Sequence, residues 1–178
     1  MNIEQLFLKR QSTRKYEDKP VDDELLVKVC SLASLAPSAC NSQPWKMIAL
    51  NGKKAKGFAK FVKISGINGW ADTCPAFIVI KQEKAVLPER IGQAMLKSDF
   101  VGNDIGILAA HLVLAAEDLG LQTCILGMRD EKGIAEYLNL PDGSKFPLII
   151  AIGYAEEGAV IRKKARKDFD KIFELIKE

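Results

Sequence analysis

The sequence predicts an α+β fold in a single domain spanning residues 1–178, and three observations carry that expectation. Short continuous apolar runs at 76–80, 123–127 and 147–152 have the composition of buried strands. A helically spaced run from 98 to 119 is the most apolar stretch of the chain. Helices and strands interleave without the regular βαβ alternation of a doubly wound sheet. A chain of 178 residues is long enough to bury roughly 70% of its unfolded surface.

Each element has a local reason. Residues 2–9 form a short amphipathic helix with Ile3, Leu6 and Phe7 on one side. Asp22 is placed to cap a second helix, in which Leu25, Val29, Leu32 and Ala36 keep helical spacing up to Pro37. Pro37 and Pro44 each disfavour helix in the residue before them, so 38–43 is expected to be an extended loop with free amides. A strand at 46–50, a turn at Asn51-Gly52 and a basic helix at 53–64 follow, with Phe58, Phe61 and Val62 inward. Pro75 opens the strand at 76–80, and Gly120 is positioned to end the apolar helix. After the strand at 123–127 come a helix at 130–139 and a strand at 147–152. Phe169, Ile172, Phe173 and Ile176 then repeat with helical spacing.

Composition excludes several function classes. A formal net charge of +3 is too small to argue for nucleic acid. The basic segment 162–167 lacks the interleaved aromatic residues that base stacking would use. Cys30, Cys40, Cys74 and Cys124 form no C-x-x-C pair, and the lone His111 adds no ligand partner, so no metal or Fe–S site is expected. The cysteines read as reduced thiols of a soluble cytoplasmic protein. The longest near-apolar run, 105–116, is too short to span a bilayer. No G-x-G-x-x-G follows a strand, which argues against a Rossmann nucleotide site. His111, in the most apolar helix, is expected to be a buried, hydrogen-bonded structural residue. No Ser–His–Asp arrangement or carboxylate pair can be assembled, which suits an enzyme whose cofactor carries the chemistry.

Four clusters remain. Arg10, Gln11, Ser12 and Arg14 place two guanidinium groups and a hydroxyl on one short loop, suited to phosphate, although a solvated basic loop has the same composition. Pro37, Ser38, Ala39, Asn41, Gln43, Pro44 and Trp45 make a polar loop between a helix end and a strand, a natural ligand surface or a structural turn. Leu126-Gly127 ends a strand with a residue that permits close backbone approach, or simply bends there. Lys164 and Arg166 form a K-x-R pair near the C-terminus, in a segment whose other charges are expected to face solvent.

The R-x-S-x-R opening at 10–14 and the P-S-x-x-N-x-Q-P-W loop at 37–45 resemble the nitroreductase family of flavin mononucleotide (FMN) enzymes, over about residues 5–168. The resemblance implies a central antiparallel or mixed sheet flanked by helices in an intertwined homodimer, with flavin at the subunit interface. It implies that Arg10, Lys164 and Arg166 meet the FMN phosphate and that Ser12 meets the ribityl or phosphate region. Arg14 would lie at the N1/O2 edge of the ring, and Leu126-Gly127 would present backbone amides toward N5 and O4. The loop with Pro37, Ser38, Ala39, Asn41 and Gln43 would reach a flavin held mainly by the other subunit. The implied reaction is ping-pong hydride transfer from NAD(P)H to an electrophilic acceptor such as a nitroaromatic or quinone. A non-catalytic flavin-binding protein and a basic interaction module are the other readings. The apolar surface of the helix at 98–119 exceeds what one side of the domain can cover, which independently points to a two-fold partner. Family members continue in an extended tail over the partner. The helical pattern after residue 168 departs from that arrangement.

Overall fold

The computed structural model describes residues 2–88 and 99–178; residue 98, where the expected apolar helix began, lies outside them. Its centre is a four-stranded sheet in the order β1-β2-β4-β3, formed by β1 (Trp45–Asn51), β2 (Ala76–Gln82), β3 (Gln122–Leu126) and β4 (Leu148–Gly153). All three strand pairings are antiparallel, so of the two sheet types expected the antiparallel one is found. The helices are α1 (Ile3–Lys9), α2 (Asp23–Ala33), α3 (Gly52–Phe58), α4 (Phe100–Asp118) and α5 (Glu131–Tyr137).

The two-residue period of the strands divides the core between the faces of the sheet. Phe77 and Val79 of β2, with Ile149 and Ala151 of β4, pack with Phe58, Ala55, Ile134 and Phe146 on the α3/α5 side. Ala76, Ile78 and Ile80, with Ile150 and Ile152, pack with Leu26, Val29, Leu108 and Leu112 on the α2/α4 side. Both faces of the central strands are therefore covered, which is why they read as continuous apolar runs.

Several boundaries differ from expectation. Helix α2 ends at Ala33, before Pro37, and Asp22 takes the cap position without a side-chain capping bond. The basic helix stops at Phe58 and tightens into a 3-10 turn, Ala59–Val62. Asn51 ends β1 and caps α3, accepting from the Gly52 amide at 3.0 Å. The expected helix after residue 168 is absent: the segment holds a 3-10 turn, Phe169–Lys171, and is otherwise irregular and exposed. Its periodicity had no surface to pack against within the chain, and most helical stability comes from such packing.

Helix α4 is 19 residues long, with a mean hydropathy of 1.4 that would suffice by length and composition to cross a bilayer. Instead it is a core helix burying Ile105, Leu108, Ala109, Leu112, Val113 and Ala116 on one side. It is not buried all round. Gly102, Asn103, Gly106, Ile107, Ala110 and His111 are exposed on the other side. His111 is thus exposed rather than buried, its ring nitrogen 3.0 Å from the Ile107 carbonyl oxygen. The helix looked uniformly apolar because glycine and alanine fill the outward positions.

Candidate functional site

The loop after α1 runs along the free edge of β3. Ser12 pairs in parallel with Thr123, and the Thr13 amide donates to the Thr123 carbonyl at 2.9 Å. This pairing fixes alternate residues on one side of the strand edge. Arg10, Ser12 and Arg14 accordingly line a single groove of about 280 Å³, together with Gln11 and the C-terminal residues Arg162, Lys163, Lys164, Ala165 and Arg166. Two ends of the chain, 150 residues apart in sequence, are joined here by named bonds. Gln11 accepts from the Arg162 amide at 3.1 Å and donates to the Val160 carbonyl at 3.0 Å. Arg162 donates to the Ser12 carbonyl at 2.6 Å, and the Lys164 ammonium donates to the Arg10 carbonyl.

These bonds sort the residues. The side chain of Gln11 is engaged in holding the C-terminal segment. Arg162 stays exposed, as expected, but it is also bonded to Gln11 and Ser12. No salt bridge among the described residues engages Arg10, Arg14 or Arg166. The groove is lined by cations with no carboxylate among them. Partial burial lowers the Lys164 pKa, and the adjacent Arg10 and Arg166 charges lower it further against the opposing pull of Glu117. Such a groove favours a multiply charged anion, for which guanidinium and ammonium supply charge-assisted hydrogen bonds.

β3 lies beside the groove through the Ser12–Thr123 pairing, but Leu126 and Gly127 are not among the residues that line it. Burial pushes the Cys124 thiol up, while Arg14, a hydrogen bond with Ser12, Arg162 and Arg10 oppose the shift. Leu126 is buried, and the exposed Gly127 follows it. A Cβ built on Gly127 would meet nothing within 4 Å, so the chain itself does not demand glycine there. The Arg129 guanidinium donates to the Gly127 carbonyl and, at 2.8 Å, to Glu131. Burial alone would push the Glu131 carboxyl up, but bonds from Arg129 and the Phe146 amide outweigh it and hold the group below its usual range. Arg129 and Glu131 thus brace the turn after β3. Sequence reasoning missed them, since their alternation with Gly127 carries no recognisable pattern.

The loop with Pro37, Ser38, Ala39, Asn41 and Gln43 lines no part of this groove. It is not extended with free amides. Ala39–Asn41 make a 3-10 turn, and Cys40, Asn41 and Gln43 have φ of 52°, 53° and 47°. The Gln43 amide donates to Ser38 Oγ at 2.9 Å and the Ala39 amide to Asp104 Oδ1 at 3.0 Å. Proline geometry restricts only the residues before it, so it could not reveal these partners. The loop is anchored near the start of α4, whereas the groove lies near its end, where Lys9 pairs with Glu117 at 3.3 Å. Thirteen residues separate Asp104 from Glu117, about 20 Å along the helix axis. One chain therefore holds the two motifs apart.

Comparison with known proteins agrees with this fold. A Streptococcus pneumoniae nitroreductase family protein superposes with a TM-score of 0.82 at 24% identity, covering 98% of this chain and 100% of that one. A Clostridium difficile structure described as an FMN-dependent nitroreductase gives a TM-score of 0.70 at 29% identity, covering 93% and 92% of the two chains. A Thermus thermophilus protein named NADH dehydrogenase is 27% identical over 179 residues, covering 85% of this chain and 86% of its own length. The model of the nitroreductase family matches residues 8–73 and 55–154, more than half of the chain. The chain belongs to the nitroreductase family.

Proposed function

We propose that the protein is an FMN-dependent oxidoreductase that works as a homodimer, with two equivalent flavin sites shared between subunits. The observation that carries this reading is the groove at the β3 edge, where cations from both ends of the chain converge with no carboxylate among them. Its donor set fits the phosphate of FMN, and the FMN-dependent relative from C. difficile supports that choice of anion. Arg10, Lys164 and Arg166 hold the phosphate, while Ser12 and the backbone at Gln11 serve the ribityl region. Arg14 places its cation by the N1/O2 edge, where it stabilises negative charge on the ring. Leu126 and Gly127 offer backbone to N5 and O4. Bound FMN supplies hydride transfer at N5, with NAD(P)H as reductant and a small electrophile of the nitroaromatic or quinone class as acceptor.

The partner supplies Pro37, Ser38, Ala39, Asn41 and Gln43. Support for the pairing comes from the outward face of α4, where Gly102, Gly106 and Ala110 recur every fourth residue, allowing close approach of a second helix. Antiparallel pairing about a two-fold axis sets the start of one α4 beside the end of the other, closing the separation of about 20 Å between half-sites. Phe7 is 59% exposed, Leu35 76%, Phe169 69% and Ile176 84%, more apolar surface than a monomer normally leaves in water. The exposed segment from Phe169 to Ile176 is proposed to lie over the partner. Cytoplasmic location follows as part of the same proposal.

The experiment is purification and spectroscopy, followed by turnover. A flavin spectrum, with NAD(P)H oxidation dependent on a nitroaromatic or quinone, is the expected result. Bound FMN without turnover over a range of acceptors would instead establish a flavin-binding protein. A colourless protein that takes up no FMN would overturn the reading.

A further inference from the structure

Helix α4 carries two buried acids, Asp104 at 5% exposure and Glu117 at 2%. A carboxylate inside an apolar layer costs several kcal/mol unless it is paired or well bonded. Glu117 has Lys9. Among the described residues, Asp104 is bonded to a neutral group: it accepts from the backbone amide of Ala39, 3.0 Å from Oδ1 and 65 residues earlier in the chain. An apolar side chain would serve the core of α4 at lower cost, so the charge is explained by what it holds.

What it holds is strained. Cys40, Asn41 and Gln43 lie in the left-handed region, at φ 52°, 53° and 47°. Asparagine tolerates that region, but for cysteine and glutamine it is unfavourable. Such conformations persist only where surrounding bonds over-determine them. Most of those bonds are internal: Asn41 N–H to the Ser38 carbonyl at 3.0 Å, Ser42 N–H to the Ala39 carbonyl at 3.0 Å, and Gln43 N–H to Ser38 Oγ at 2.9 Å. The Gln43 side-chain amide adds bonds to the Asn41 carbonyl and Oδ1, both at 3.0 Å. Internal bonds give the loop its shape but leave its position open. Bonds that leave the loop hold it at two points: the Val86 amide donates to Ser42 Oγ at 2.8 Å, and the Asp104 bond ties the Ala39 end to a helix that spans the sheet face.

We propose that Asp104 is a positioning residue for the flavin site of the opposite subunit, acting through the Ala39 amide on the loop at 37–43. The proposal rests on the shared-site reading above and assigns to it a residue that touches neither cofactor nor substrate. Loss of the bond leaves the loop's shape and its Ser42 anchor but frees its Ala39 end, and displacements of about 1 Å at a binding surface are costly.

The test uses FMN affinity of the full-length dimer. Asp104→Ala is expected to weaken FMN binding about tenfold or more, the worth of a charged hydrogen bond. Asp104→Asn keeps an acceptor oxygen in place and is expected to recover most of that loss. Ala39→Pro removes only the donor N–H; Ser38 before it is already extended at φ −145°, ψ 160°, as proline requires. It should reproduce the Asp104→Ala defect while leaving α4 untouched, and it replaces that variant should the latter fail to fold. Mixed dimers distinguish positioning from general structural damage. When an Asp104→Ala chain is paired with an Arg10→Ala/Arg166→Ala chain, one site carries both lesions and the other carries neither. One FMN per dimer at unsubstituted affinity, with its native visible dichroism, is the expected result. Unchanged affinity in Asp104→Ala and Ala39→Pro, or mixed dimers with both sites weakened, would overturn the proposal. Failure of the flavin reading itself would appear in the unsubstituted protein.

Discussion

Replacing Arg166 with alanine probes the phosphate grip, because most of its donors are uncommitted. Its Nη1 donates to the neighbouring Ala165 carbonyl at 2.8 Å, and no described salt bridge uses it. The Lys164 ammonium is engaged by the Arg10 carbonyl, and Arg162 is engaged by Gln11 and Ser12. Arg166→Ala should therefore weaken FMN binding by about 1.5–3 kcal/mol, the worth of a charged hydrogen bond. At 1.4 kcal/mol per decade this is about 10- to 150-fold in Kd. The unliganded protein should lose no stability, since Arg166 is one of the like charges that lower the Lys164 pKa. Arg162→Ala should differ, loosening the joint between the two ends of the chain. Fluorescence titration of apoprotein with FMN, beside thermal unfolding without it, reads both quantities. Unchanged flavin retention in Arg166→Ala with an intact fold would refute the assignment.

Arg14→Ala should make bound flavin harder to reduce while leaving the phosphate contacts in place; an unchanged midpoint potential in a redox titration would contradict this. The lowered Lys164 pKa sets a pH dependence with a defined sign. Holding the ammonium costs stability at neutral pH, and that cost disappears as pH rises through the lowered folded value toward the unfolded 10.5. FMN affinity should fall over the same alkaline range as the cation is lost, and Lys164→Met should abolish that dependence in titrations at stepped pH. Gly153→Ala should destabilise the fold by about 1–3 kcal/mol through overpacking. Its new Cβ would lie 2.5 Å from Pro75 Cγ and 3.0 Å from Tyr16 Cδ1, and chemical denaturation would measure the loss.

Residues with local signals were readable in the sequence, and residues that depend on distant partners were not. β2 and β4 appear where continuous apolar runs lie, because both faces of each are covered. The R-x-S-x-R and K-x-R residues do meet in one groove. The spacing of Phe169, Ile172, Phe173 and Ile176 is helical, yet spacing without a surface to bury against does not form a helix. The apolar composition of α4 suggests a buried His111, but the outward face of the helix consists largely of small residues and leaves it exposed. The amides of the loop at 37–43 looked free because their acceptors include Asp104, far along the chain and in a helix that reads as pure core. Arg162 is exposed as expected, but its bonds are not legible in the sequence because its partners, Gln11 and Ser12, lie at the other end of the chain.

The central claim is that the flavin site exists only between two copies of the chain. Sedimentation equilibrium with simultaneous flavin fluorescence, over a dilution series of the protein, tests it most directly. Binding that requires the dimer must be linked to association, each strengthening the other. The account predicts that FMN shifts the monomer–dimer equilibrium toward dimer and is released as the dimer dissociates. A monomer that keeps FMN at full affinity would contradict it.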